Sequence, residues 1–185
     1  MPKKVNHDEE RRKLIITAVN YIASHGVSAF TLRSLSAQHN VTKGCLQHYY
    51  ARKEQVILDV LDYIEASFLE LIETDITDAR DRACHQLHQM LPIDAKRQGL
   101  WRVKLGLLAL ETEIINVPLA AWYKRQLKEG IRLLKKANQP DPALSYRTLL
   151  AVVYGCGVSV NILGPKHLTP SAQHKILDNV ISDVF

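Results

Sequence analysis

The chain has 185 residues, 46% of them apolar and 23% charged, and carries a formal net charge of +5. That apolar share supports a packed core and excludes a disordered chain. Cys45, Cys84 and Cys156 are odd in number and far apart, so no disulfide framework is expected and a reducing cytoplasm fits best.

The opening "MPKKVNHDEERRK" is polar throughout, which argues against a signal peptide. The longest apolar run, "LLAVVYGCGVSVNILG" at 149–164, falls short of the roughly 20 residues of a membrane span and reads as a buried helix, so no membrane partner is expected. Charge is unevenly placed. Residues 1–53 hold nine Lys/Arg against three acidic groups, a net +6, whereas the rest holds 15 basic and 16 acidic groups, a net −1. A basic front on a neutral body predicts a polyanion partner at one end only.

In chain order every element reads as a helix. Leu14, Ala18, Tyr21, Ile22 and His25 recur at helical spacing after Asp8, and Gly26 closes that helix. Thr31 is the expected N-cap of a short second helix, with Phe30 and Leu35 as a hydrophobic staple, ending near Asn40. Thr42 opens a third helix that runs to about Tyr49. A long helix starts at Lys53, with Ile57, Val60, Leu61, Ile64, Phe68 and Leu71 on one stripe. Further helices are expected over about 77–91, 96–115, 117–137, 142–163 and 169–184, separated by Pro92, by the Asn116-Val117-Pro118 start, by "QPDP" and by "GPKHLTP".

Two short helices joined by a tight turn in a basic region form a helix-turn-helix candidate. Ser36, Asn40 and Leu46 occupy its small, left-handed and apolar positions, Asn being a common substitute for Gly in left-handed backbone. Leu35, Val41 and Leu46 would then pin the helices together. The stretch "FTLRSLSAQHNVTKGCLQHYYARKEQVI" resembles the DNA-binding segment of TetR-family transcriptional regulators over roughly residues 10–60, with Thr31, Leu35, Val41, Lys43-Gly44, His48-Tyr49 and Lys53-Glu54 in register. Ser36, Asn40, Cys45 and Gln47 depart from the usual residues, and Arg52 stands where a capping Ser is common, at a cost of up to about 1 kcal/mol. The resemblance implies an all-α homodimeric repressor, with an N-terminal three-helix DNA-binding domain over 1–52 and a larger helical ligand-binding and dimerisation domain over 53–185.

Geometry assigns roles within that stretch. Thr42 and the amides of Lys43 and Gly44 offer a phosphate site at the start of the recognition helix, and Gly44 permits close backbone approach to a duplex. Tyr49 and Lys53 take further phosphates, and Thr31 and Arg33 contribute from the preceding helix. Gln47 matches the N6 and N7 edge of adenine and Lys43 can reach guanine. His48 reads a base or a phosphate, or only covers apolar surface. Cys45 fills space beside the groove, Tyr50 belongs to the core, and Lys3 and Lys4 form either a minor-groove arm or a solvated tail.

The body resembles, through its helix order and two-helix ending, the betaine-repressor branch of the same family. This implies a ligand cavity among the middle helices and a dimer made by the last two. Ala151, Gly155 and Ser159 recur every four residues on one face, and Ile176, Val180 and Val184 form a stripe on the final helix, so both can serve a dimer interface or pack within the chain. Glu111 shares a face with Leu107, Leu108 and Ile115, and its carboxylate calls for a basic side chain or a cationic small-molecule effector. Trp101, Trp122 and Tyr123 offer aromatic faces to such a cation, or are ordinary core, and Tyr154 and Asn161 are lesser ligand candidates. Glu113 is expected to face solvent. Cys84, His85 and His88 have metal-compatible spacing, but no further ligand accompanies them and no metal or cofactor is expected. No nucleophile–base arrangement or phosphate loop points to an enzyme. The reading is therefore a ligand-responsive, sequence-specific binder of double-stranded DNA, with a ligand-binding or protein-interaction domain carrying a degenerate helix-turn-helix as the alternative.

Overall fold

The structure is a computed structural model describing residues 7–71, 75–110 and 112–185. The described residues form helices α1 (His7–His25), α2 (Leu32–Gln38), α3 (Lys43–Gln47), α4 (Lys53–Leu69), α5 (Ala79–Gln89), α6 (Ala95–Leu108), α7 (Glu113–Lys136), α8 (Pro142–Leu163) and α9 (Pro170–Val184), with one 3-10 turn at Val27–Ala29 and no strand. The fold is all-α.

Capping explains most boundaries. Thr31 and Ser34 exchange side-chain and backbone hydrogen bonds in a capping box, and Phe30 and Leu35 flanking that cap are both buried. Thr42, Asp78, Asp94, Asp141 and Thr169 each accept an amide hydrogen bond from the first turn of the helix they open. At Arg52 the missing side-chain cap is offset from the other side, because Gln55 Oε1 accepts from the amides of Ala51 and Arg52.

The expected break between the sixth and seventh helices lies elsewhere. α6 stops at Leu108 and α7 already begins at Glu113, so Pro118 sits inside α7. Pro118 is the sixth residue of α7, so its missing N–H leaves the Ile114 carbonyl without its usual donor, yet the helix runs through it; the sequence between Leu108 and Glu113 carries neither Pro nor Gly. α8 spans 22 residues and, by length and composition, is the one described helix apolar enough to cross a membrane. The run at 149–164 understated it. Its inner face buries Tyr146, Leu149, Leu150, Val153, Cys156 and Val160 in the core.

One continuous core joins both ends of the molecule. α6 lies directly on α1 and the 3-10 turn: Arg102 donates to the Ala23 carbonyl, Gly99 faces Ala23, and Gly106 faces Val27. The opposite face of α6 carries Trp101 and Lys104 into the body, where both are buried.

Candidate functional site

The helix-turn-helix forms as its spacing predicts. Asn40 adopts φ 56°, the left-handed geometry that turns the chain between α2 and α3, and the Val41 amide then donates to the Ser36 carbonyl at 3.0 Å. Leu35 and Leu46 are buried between the helices with Val41 packed against them. This leaves Thr42, Lys43, Gly44, Cys45, Gln47 and His48 exposed on one edge, with Thr31, Arg33 and Lys53 exposed beside them. Arg33, Lys43 and Gln47 line a surface groove between α2 and α3 together with Leu32, Ser36 and Leu46. Cys45 is on the surface, on the same edge. The Thr42 hydroxyl accepts from the Cys45 amide at 3.2 Å, so its capping role is met within the chain.

Two features here escaped the sequence. Tyr49 is half-buried, with its hydroxyl 3.2 Å from His7 Nδ1 at the start of α1. Tyr50 is core, as expected, but its hydroxyl donates to Asp59 at 2.6 Å while Arg11 makes two bonds to the same carboxylate, at 2.8 and 3.0 Å. That network ties α1 and the end of the recognition segment to α4. Burial and the bond to Asp59 push the Tyr50 phenol well above its ordinary range, so the donor stays protonated. No local sequence pattern announces a contact between residues 11 and 59.

In the body, Trp101, Trp122 and Tyr154 do converge, and Tyr123 meets Tyr154 edge to face at 5.9 Å. The cation at their focus belongs to the chain. Lys104 Nζ lies 4.0 Å from the Trp122 ring centre, 4.1 Å from Tyr154, 4.6 Å from Trp101 and 5.9 Å from Phe68. The aromatic faces offered to a cationic effector are thus occupied by an internal ammonium. Lys104 is 1% exposed, and Nζ has no hydrogen-bond partner among the described residues. Burial alone pulls its pKa down to about 7.

Lys104, Trp122, Tyr123 and Tyr154 line a cavity of about 350 Å³ with Leu108, Asn116, Leu119 and Ala120. On the other side of Trp122 lies a second cavity of about 260 Å³, walled by Phe68, Met90 and Tyr146 and bordered by the Arg125–Glu65 ion pair. Asn161 stands apart, exposed near the end of α8. Glu111 lies outside the described residues, as do Lys3 and Lys4, while Glu113 is exposed as expected.

Ala151 and Gly155 are exposed on α8 and Ser159 is partly so. Ile176 is exposed on α9, whereas Val180 and Val184 pack against the core of their own chain. The described residues hold no group of three metal-binding side chains. His88 instead contacts His174 at 2.9 Å and Asp178 at 2.9 Å, joining α5 to α9.

A helix-turn-helix at one end of a larger helical body, with its polar edge turned outward, defines a two-part all-α architecture. It is the fold of the TetR-family transcriptional regulators. The chain is similar to a putative TetR-family transcriptional regulator from Rhodococcus sp., with a TM-score of 0.81, 18% identity and 96% and 98% of the two chains covered. It is also similar to a putative transcriptional regulator from Saccharomonospora viridis in complex with choline, with a TM-score of 0.81, 19% identity and coverage of 95% and 97%. AibR in complex with isovaleryl coenzyme A and operator DNA has a TM-score of 0.70, 20% identity and coverage of 95% and 97%. No protein-family model and no curated protein matches the chain.

Proposed function

We propose that the chain is a ligand-responsive transcriptional regulator, a homodimer that represses from a palindromic operator and is released by a small molecule in the cytoplasm. The observation that carries this reading is the exposed polar edge of α3 with Arg33, Lys43 and Gln47 around one groove. An edge serving only the protein's own core would have been buried. The resemblance to folds solved with operator DNA, choline or isovaleryl coenzyme A supports both a duplex and a small molecule as partners. Residues 1–52 are the DNA-binding unit and 53–185 the effector and dimer unit.

Lys43, Lys53, Arg33 and the Thr42–Gly44 amides neutralise or bind phosphates, so affinity falls steeply with salt. Lys53→Ala is expected to weaken all duplexes alike. Gln47→Ala should change the preference among them with a smaller loss of overall affinity, by about 1–3 kcal/mol at the base pair it reads. In-vitro selection of bound duplexes, repeated at two salt concentrations, checks both. A salt-independent affinity would favour the alternative of a ligand-binding domain with a degenerate helix-turn-helix.

The exposed face of α8 supports dimerisation. Leu144, Ala151, Gly155, Val158 and Ile162 follow one another at helical spacing, all exposed, and Ile176 of α9 lies beside them. Small residues at the middle let a second copy's helix approach closely, and aliphatic residues at both ends supply buried area. Ile162→Glu is expected to shift the protein from dimer to monomer in sedimentation velocity and to abolish tight operator binding. A monomeric parent chain at high concentration would overturn this interface. A twofold dimer would suit a palindromic site, with one recognition helix for each of two successive turns of a duplex.

Effector and duplex are coupled through α6. The helix that holds Lys104 against the cavity also holds α1 and the 3-10 turn through Arg102, Gly99 and Gly106. A ligand that displaces α6 therefore re-aims the helix-turn-helix through α1, which packs on α2.

A further inference from the structure

Resting on the effector reading above, we propose that Lys104 is the charge partner for a small anionic effector, a monocarboxylate with an apolar body, bound in the cavity between α6, α7 and α8. Lys104 lines that cavity while its Nζ is buried and finds no acceptor among the described residues. Aromatic faces hold an ammonium by its charge but leave its three N–H donors without a strong acceptor. An entering carboxylate supplies one and neutralises the charge in the same step. A quaternary ammonium ligand would instead find those aromatic faces already covered by the Lys104 side chain.

The rest of the cavity fits the other half of such a ligand. Leu108, Leu119 and Ala120 give an apolar wall, with Asn116 and Tyr123 as polar groups beside it. At about 350 Å³ the space lies near the lower end of ligand pockets, which selects a compact molecule.

Proton linkage gives the site a signature. Among the described residues burial is the cause of the depressed Lys104 pKa, with no charged neighbour contributing. The titratable groups facing it are the phenols of Tyr154 on α8 and Tyr123 on α7, and burial pushes Tyr154 further up, away from the neutral range. Above a pH of about 7 the free protein holds Lys104 neutral, so binding a carboxylate requires proton uptake. Affinity then falls by up to about tenfold per pH unit.

The test is a titration of the full chain without DNA, read by tryptophan emission. The chain's two tryptophans, Trp101 and Trp122, both flank Lys104, so the signal is local. Hexanoate is expected to bind and to weaken as pH rises through about 8, with hexanamide at least roughly tenfold weaker and independent of pH. Lys104→Met should lose that preference for the acid over the amide while staying folded. Benzoate serves as the second carboxylate and choline as the cation. The proposal is overturned if neither carboxylate binds, if hexanamide equals hexanoate, if choline binds in their place, or if Lys104→Met keeps the preference. It is equally overturned if hexanoate binds only after Glu111→Gln, since the chain's own carboxylate would then be the partner of Lys104. Because no duplex is present, failure here leaves DNA binding untouched, and failure of the duplex titration leaves this result standing.

Discussion

Lys104→Met raises the stability of the protein at neutral pH by about 2–4 kcal/mol, a gain that shrinks as the solution is made alkaline. The reason is the position of the amine. Its pKa is about 7 in the folded protein against an ordinary 10.5, with burial as the cause. Between those values the unfolded chain binds a proton that the folded chain does not, so stability of the parent protein rises with pH across that window. Below about 7 both states are charged and the full penalty is present. Methionine has a similar length and no charge, fits among Trp101, Trp122 and Tyr154, and gives up only the attraction to their faces. Urea denaturation of both proteins at pH values of about 6, 8 and 10 measures the gap. A variant less stable than its parent at neutral pH, or a gap that ignores pH, would show that the aromatic cage stabilises the ammonium more than burial disfavours it. A residue that lowers stability yet lines a cavity is what a binding role leaves behind.

Sequence and structure agree best where the signal is local. The cap at Thr31, the left-handed turn at Asn40 and the outward edge from Lys43 to His48 each depend on residues within a few positions, and all three are present. Buried Tyr50 was legible because its neighbours already supplied the polar edge. The Tyr50–Asp59–Arg11 network was not, since it joins residues 48 positions apart and no pattern in either segment requires the other. The break between α6 and α7 is expected at Asn116-Val117-Pro118 because Pro118 is the conventional breaker in that stretch, but α7 runs through it at the cost of one intrahelical bond. In the body the aromatic residues were found, but the cation was sought outside the chain. Lys104 lies three residues after Trp101, on the same face, which is a signal for contact. Lysine is almost never fully buried, so residue type alone argues against that contact.

Gly130→Ala is expected to destabilise the protein by about 3 kcal/mol or more, although alanine is the better helix former. A Cβ at residue 130 of α7 would stand 1.9 Å from Cζ of Tyr146 and 2.1 Å from Cε2, inside the ring's own volume. Tyr146 is 1% exposed on α8, so its ring can yield only by turning into the cavity it walls with Phe68 and Met90, and otherwise the two helices must separate. Gly157→Ala poses the same problem from α8, where the added carbon would lie 2.4 Å from the Trp101 ring. That ring is held by its Nε1–H, which donates to the Met90 carbonyl at 2.7 Å, and any shift carries it against Lys104. Gly99→Ala is the matched control: its Cβ would meet only Ala23 at 3.9 Å, an ordinary contact, and helix propensity predicts a gain of roughly 0.5–1 kcal/mol. Thermal unfolding of the three variants separates the cases. Gly130→Ala melting with or above the parent chain would mean that α7 and α8 do not approach through Tyr146. The walls of the Lys104 cavity would then need another arrangement, because those two helices, with α6, are what enclose it.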